Sequence, residues 1–274
     1  WLFSSTRDVP FTRPSIVLPQ SVYFDGFRDI AVGSDGIAAQ VRYAGAAGDA
    51  TFNWSWGSTN ISRAQSHLLL GAAAQGSADQ EFVHQASAYW QPYGSQFTYG
   101  FSLLDSDFDY SCADNDLFTS ADFTVQRVML SMRYQAEKWE LASELQQERF
   151  NINGFFFDGF RQDQIGQGAY VLLQYRHDTK LKSFVMLDYS VGNKDDRHGK
   201  ALQQNSAGQI ADYFGYQHTF GTGLSYDFTP TLRLSAEAHW VKGAGRLSPV
   251  LLPDVVTNQQ EYWQLYAAQL MYRF

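Results

Sequence analysis

Two sets of charged residues in this sequence have the types and spacing to act on ions. The first lies before residue 37: Arg7, Arg13 and Arg28, interleaved with Asp8, Asp25 and Asp29. Guanidinium groups hold anions through forked N–H donors, and neighbouring carboxylates offset them. Such a cluster across a water-filled passage sets its preference for the sign of an ion. The second set is Arg42, Arg127, Arg133, Glu140, Glu144, Arg176, Arg233 and Glu237, joined by Asp188 and Asp227. Each stands at an alternate position of a stretch whose other positions are apolar. Charges placed that way need water on their side of a sheet, because hydrocarbon does not tolerate them. The same charges would serve equally well as ion pairs that fasten a loop to a wall, and spacing alone leaves both readings open.

Other chemistry is poorly supported. Asp105, Asp107 and Asp109, continuing to Asp116, space carboxylates as a calcium loop does. Tyr110 stands where the sharp turn of such a loop needs glycine, so no metal site is assigned and an acidic outer loop is expected. Cys112 is alone, which excludes an intrachain disulfide and a cysteine-based metal centre. The histidines, His67, His84, His177, His198, His218 and His239, lack a nearby serine in a nucleophile context. The His-x-Ser-Asn-Gly motif of the outer-membrane phospholipase does not occur. A net charge of −8 argues against a nucleic-acid partner. Neither catalysis nor a cofactor is expected.

The elements that position these charges follow from a period of two. The 274 residues are 45% hydrophobic and 16% aromatic, with 22 glycines, yet mean hydropathy is only −0.32. No run approaches the roughly 18 apolar residues of a membrane helix. Alternating strands average their hydropathy away, so a membrane β-barrel escapes that test. From Ile37 onward the alternation is continuous: Phe52, Trp54 and Trp56; Phe97, Tyr99, Phe101 and Leu103; Val128, Leu130 and Met132; Leu232, Leu234, Ala236, Ala238 and Trp240. About eleven strands emerge. Short connections, such as 45–49, 92–95, 136–138, 177–180 and 229–230, alternate with long ones at 57–81, 105–122, after Gln146, 192–212 and 243–260. Phe184 and Met186 break the pattern by falling on the polar side. Tyr262 to Phe274 closes the chain with aromatics at both ends of its apolar side, the profile of a lipid-facing strand between two interfaces. The predicted fold class is all-β, a transmembrane antiparallel β-barrel.

The terminal aromatic Phe274 resembles the C-terminal signal of bacterial outer-membrane barrels and gives the strands a direction. Short turns then face the periplasm, long connections face outward, and residues 1–36 precede a downward strand. Pro10, Pro14 and Pro19 keep that stretch extended. Thr6-Arg7-Asp8-Val9-Pro10-Phe11-Thr12-Arg13-Pro14-Ser15 and Leu18-Pro19-Gln20-Ser21-Val22-Tyr23-Phe24-Asp25 resemble porin-like proteins of Gram-negative bacteria, distantly similar to phosphate-selective porins. The resemblance implies sixteen strands in the whole protein, about five of them preceding Trp1. It implies that residues 1–36 form the constriction loop inside the lumen and that 37–274 form the barrel. It further implies a homotrimer in the outer membrane, in contact with membrane lipid and lipopolysaccharide, passing small hydrophilic solutes or ions. The mixed signs favour general diffusion over phosphate selectivity. A complete twelve-stranded barrel, a plugged structural or surface-interaction barrel, and an outer-membrane hydrolase are the alternatives. Replacing both Arg7 and Arg13 with Ala should lower anion preference. The reversal potential of single channels under a salt gradient measures this, and an unchanged potential would make the two arginines structural.

Overall fold

A computed structural model describes residues 13–23, 35–59, 61–62, 66, 70, 74–247 and 259–274. Its body is one antiparallel sheet in which each strand pairs with the next in sequence. The strands are β1 (Asp35–Gly45), β2 (Gly48–Ser58), β3 (Ser77–Pro92), β4 (Phe97–Ser111), β5 (Ala121–Gln135), β6 (Trp139–Gly154), β7 (Arg161–Arg176), β8 (Leu181–Val191), β9 (Tyr216–Thr229), β10 (Leu232–Gly243) and β11 (Tyr262–Tyr272). Among the described residues, β1 and β11 are each paired on one side only. The connection after β8 holds a short helix, α1 (Lys200–Asn205), and a 3-10 turn at Asp212–Gly215.

The tight turns are written locally. Asp178 accepts the amides of Lys180 and Leu181 at 2.7 and 2.8 Å, a side chain standing in for a turn carbonyl. Thr229 Oγ1 does the same for Leu232 at 3.0 Å and Thr231 at 3.3 Å. At the other end of the strands the connections differ from the sequence expectation. The stretch Asp105 to Asp122 is not a loop: β4 runs to Ser111, β5 starts at Ala121, and only 112–120 connect them. The Phe- and Gly-rich stretch after β6 shrinks likewise to 155–160.

The physical reason is an inversion of polarity along the strands. β3 to β7 are 15 or 16 residues long, whereas a tilted strand crosses hydrocarbon in about 9–11. Over the lower part of β4 and β5, the exposed face carries Tyr99, Phe101, Leu103, Val128 and Leu130. Beyond that, the same face of β4 carries Asp105, Asp107 and Asp109, opposed in register by Gln126, Thr124 and Asp122. On β6 and β7 it carries Arg149 and Asp163, joined by bonds of 2.8 and 2.6 Å. The opposite face becomes apolar at this height. Ala78, Tyr110, Ala121, Phe123 and Ile152 pack there with Phe155. Period two continues while its sign reverses, and a reading that follows sign sees a loop.

This upper cluster fastens the connections. Phe155 holds φ 74, a costly conformation for a bulky residue, and stacks on Phe118 with ring centroids 4.3 Å apart. Asp116 accepts the Tyr110 hydroxyl and the amides of Phe118, Gln75 and Ala113 at 3.2, 3.2 and 3.4 Å. Burial works against the Asp116 charge, but these donors outweigh it and its pKa falls below the usual carboxylate value.

The boundary is testable within one strand. Leu130→Arg, in the apolar band, should cost about 2–4 kcal/mol in reversible unfolding from lipid vesicles, whereas Thr124→Arg, on the same face of β5 above it, should cost about 0–1. Equal costs would place no hydrocarbon boundary between them.

Candidate functional site

The polar face is where the sequence-predicted charges meet. Residues 13–23 lie across it and are fastened at four points. The amides of Ile16 and Val17 donate to the two carboxylate oxygens of Glu237 on β10, the second at 3.1 Å. The amide of Ser21 donates to both oxygens of Asp188 on β8 at 3.3 and 3.2 Å. The carbonyl of Ser21 accepts Gln146 Nε2 at 2.6 Å and Arg246 Nη2 at 3.0 Å. The hydroxyl of Tyr23 donates to Glu144 Oε2 on β6, an oxygen that also accepts the Tyr170 hydroxyl at 2.8 Å. Ser131 Oγ reaches the other oxygen of Glu144 at 2.9 Å.

Local sequence explains why this segment offers its backbone. Pro14 and Pro19 lack an N–H and hold the chain extended. The amides of Val22 and Tyr23 turn back onto the Pro19 carbonyl at 3.3 and 2.9 Å. The amides of Ile16, Val17 and Ser21 belong to no ladder, and each finds a carboxylate. Hydrogen bonds to a charged acceptor are worth about 1.5–3 kcal/mol each, which offsets the cost of burying Glu144, Asp188 and Glu237. Glu144 is fully buried.

Between the anchors the contact is apolar. Leu18, Val22 and Tyr23 form one cluster with Met129, Ala142, Tyr170, Leu172, Phe184 and Met186. This accounts for Phe184 and Met186, which break the alternation of β8: they face the segment rather than water. Gly168 lies beneath the Ser21 carbonyl. A Cβ there would sit 2.3 Å from that oxygen, so the close approach requires glycine.

Of the predicted charges, Glu144, Asp188 and Glu237 are engaged by the segment. Arg127 and Arg233 instead pair within the wall. Arg127 Nε donates to Glu148 at 2.7 Å across the β5–β6 ladder, and Arg233 grips Asp227 with bonds of 2.5 and 2.9 Å. Arg42, Arg133, Glu140 and Arg176 lie on the same face by register. Arg13 is half-buried at the start of the segment. Arg7, Asp8, Asp25, Arg28 and Asp29 lie outside the described residues. Asp105, Asp107 and Asp109 stand on the opposite face at strand spacing, which strings them along β4 instead of folding them around an ion. Among the described residues, no group of three His, Cys, Asp or Glu is placed to hold a metal.

Sequence reasoning missed Gln146, Tyr170, Gly168 and Arg246. The available signal was the apolar pair Phe184 and Met186 on a polar face, which marks where something packs.

The two faces define the class. Phe52, Trp54, Leu130, Leu145, Leu187, Phe220, Leu224 and Trp240 point away from the polar groups and are exposed. A continuous ladder that bares such a face and keeps its charges on the other is the wall of an outer-membrane-type transmembrane β-barrel. The location that goes with it is the outer membrane of a Gram-negative bacterium. Solved structures with similar strand arrangements include the anion-selective porin from Comamonas acidovorans, with a TM-score of 0.47 and 11% identity over 80% of this chain and 55% of that one. The outer-membrane expressed OmpT of Vibrio cholerae gives 0.44 and 11% identity over 75% and 54%. The toluene transporter TodX of Pseudomonas putida gives 0.39 and 9% identity over 88% and 75%. The chain thus spans little over half the length of the first two, and likeness at this level assigns no activity to it. No protein-family model and no curated protein matches the sequence.

Tyr23→Phe removes one of the hydroxyls held by Glu144 and should lower the unfolding free energy by about 1.5–3 kcal/mol. Denaturant unfolding followed by tryptophan fluorescence measures this. An unchanged midpoint would show that the anchor contributes nothing.

Proposed function

We propose that this chain forms the wall of an outer-membrane porin that lets small hydrophilic solutes diffuse through a water-filled lumen. The observation that carries the reading is the segment 13–23 fastened across the polar face. A stretch of chain folded inward and tied to the wall by buried carboxylates narrows a passage at a fixed place. Residues 13–23 supply this narrowing, with Arg13 at their start contributing to its field. Because Arg127 and Arg233 are already paired with wall carboxylates, the lumen charge is balanced in sign, which supports general diffusion. Non-enzymatic action and assembly as a homotrimer belong to the same proposal.

The whole protein reconstituted into planar bilayers should give stable open steps, and its mass in mild detergent should be that of a trimer. Glu144→Ala, which frees the segment at one end, should raise the open-channel noise and shift the unitary conductance. Silence from the wild type would favour a plugged structural barrel, and hydrolysis of lipid or peptide would favour an enzyme.

A further inference from the structure

At the upper end of β8 to β11 the apolar face carries a row of directly opposed residues. Tyr189 opposes His218, His218 opposes Lys242, and Lys242 opposes Tyr262. The His218 ring stacks on Tyr189 with centroids 4.6 Å apart and planes 21° from parallel. Lys242 Nζ lies 5.6 Å from the Tyr262 ring and 5.9 Å from the Tyr216 ring. Arg197, in the connection after β8, reaches the same corner and donates to the Tyr189 hydroxyl at 3.2 Å and to Gln167 Oε1 at 2.6 Å. Beside and below the row runs a groove of about 830 Å³, lined on this face by Leu145, Ala169, Val171, Leu187, Phe220 and Trp240.

Three features go beyond an aromatic girdle. His218 Nε2 is buried with no hydrogen-bond partner among the described residues. Lys242 meets Glu261 at 3.6 Å, beyond hydrogen-bond length, and both side chains are more than a third exposed. Cations gather here on a chain of net charge −8, while the upper part of the same face on β4 and β5 carries Asp105, Asp107, Asp109 and Asp122. An apolar groove capped by cations at a membrane interface fits an acyl chain with an anionic head, and the acidic side of the wall repels that head.

We propose that this corner binds lipopolysaccharide of the outer leaflet. An acyl chain lies in the groove beneath Trp240, and Lys242, Arg197 and His218 hold a phosphate of its headgroup. Lys and Arg supply charge-assisted donors, and the unpartnered imidazole nitrogen supplies one more when it carries a proton. The inference rests on the outer-membrane reading above.

The test uses the whole protein folded in detergent and titrated with bisphosphorylated lipid A or with the same lipid stripped of phosphate. Native mass spectrometry reads the bound fraction. The wild type should prefer the phosphorylated lipid about tenfold or more. The double variant Lys242→Gln/His218→Gln, or Lys242→Gln alone if the double does not fold, should lose most of that preference, while Asp107→Asn retains it. The inference is overturned if the wild type shows no preference, if the preference survives in the folded variants, or if a second copy of the chain occupies this face and excludes lipid. Insertion of the wild type into phospholipid vesicles, assayed in parallel, separates the two readings. Failure to insert overturns the barrel and this site with it, whereas insertion without lipid preference overturns the site alone.

Discussion

Hydrocarbon offers no hydrogen bonds, and every backbone N–H and C=O placed in it must find a partner within the protein. The rest of the structure follows from that constraint. The eleven described strands meet it along their shared edges by pairing each with the next, so the ladder is nearly indifferent to side-chain identity. Side chains are then free to be sorted by face. A glycine on a strand serves this arrangement where something must come close: Gly223 leaves room for the Phe184 ring, which a Cβ would meet at 2.5 Å.

Sorting by face has two exceptions, and both mark a change of surroundings rather than a defect of the sheet. Above the apolar band the exposed face turns acidic and the other face turns aromatic, because the wall has left the lipid and covers itself with its own connections. On the polar face, apolar residues appear where residues 13–23 lie. The contrast between Arg233, which is buried in a wall ion pair, and Glu237, which accepts backbone amides from that segment, shows how one strand divides the work. Alternate positions of β10 stiffen the wall or hold what crosses it.

Much of this was legible in the sequence because period two is a strong signal that needs no partner in space. The eleven described strands and the turns at Asp178 and Thr229 can all be read from alternation and turn chemistry. The upper halves of β4, β5 and β6 were not, since a reader expects the sign of the alternation to hold along a strand. The anchoring of the segment was hidden for a different reason. Glu144, Asp188 and Glu237 are far apart in sequence and look like any lumen charge. Their common role is to accept N–H or O–H groups from an irregular stretch, which leaves no spacing to detect. Ser21 carries no charge at all, yet its amide and carbonyl together engage Asp188, Gln146 and Arg246.

The reach of those anchors has a consequence for assembly. The bond from Val17 to Glu237 joins residues separated by 220 positions, and the bond from Tyr23 to Glu144 by 121. Neither acceptor is in place until its own strand has joined the ladder, and β10 follows the segment by more than 200 positions. Closing loops of that length is slow relative to the pairing of adjacent strands. The wall therefore zips up first, and the segment docks afterward onto carboxylates that the wall already holds through Tyr170, Ser131 and His239. The step that fastens residues 13–23 to the polar face comes after the step that makes the membrane-spanning wall.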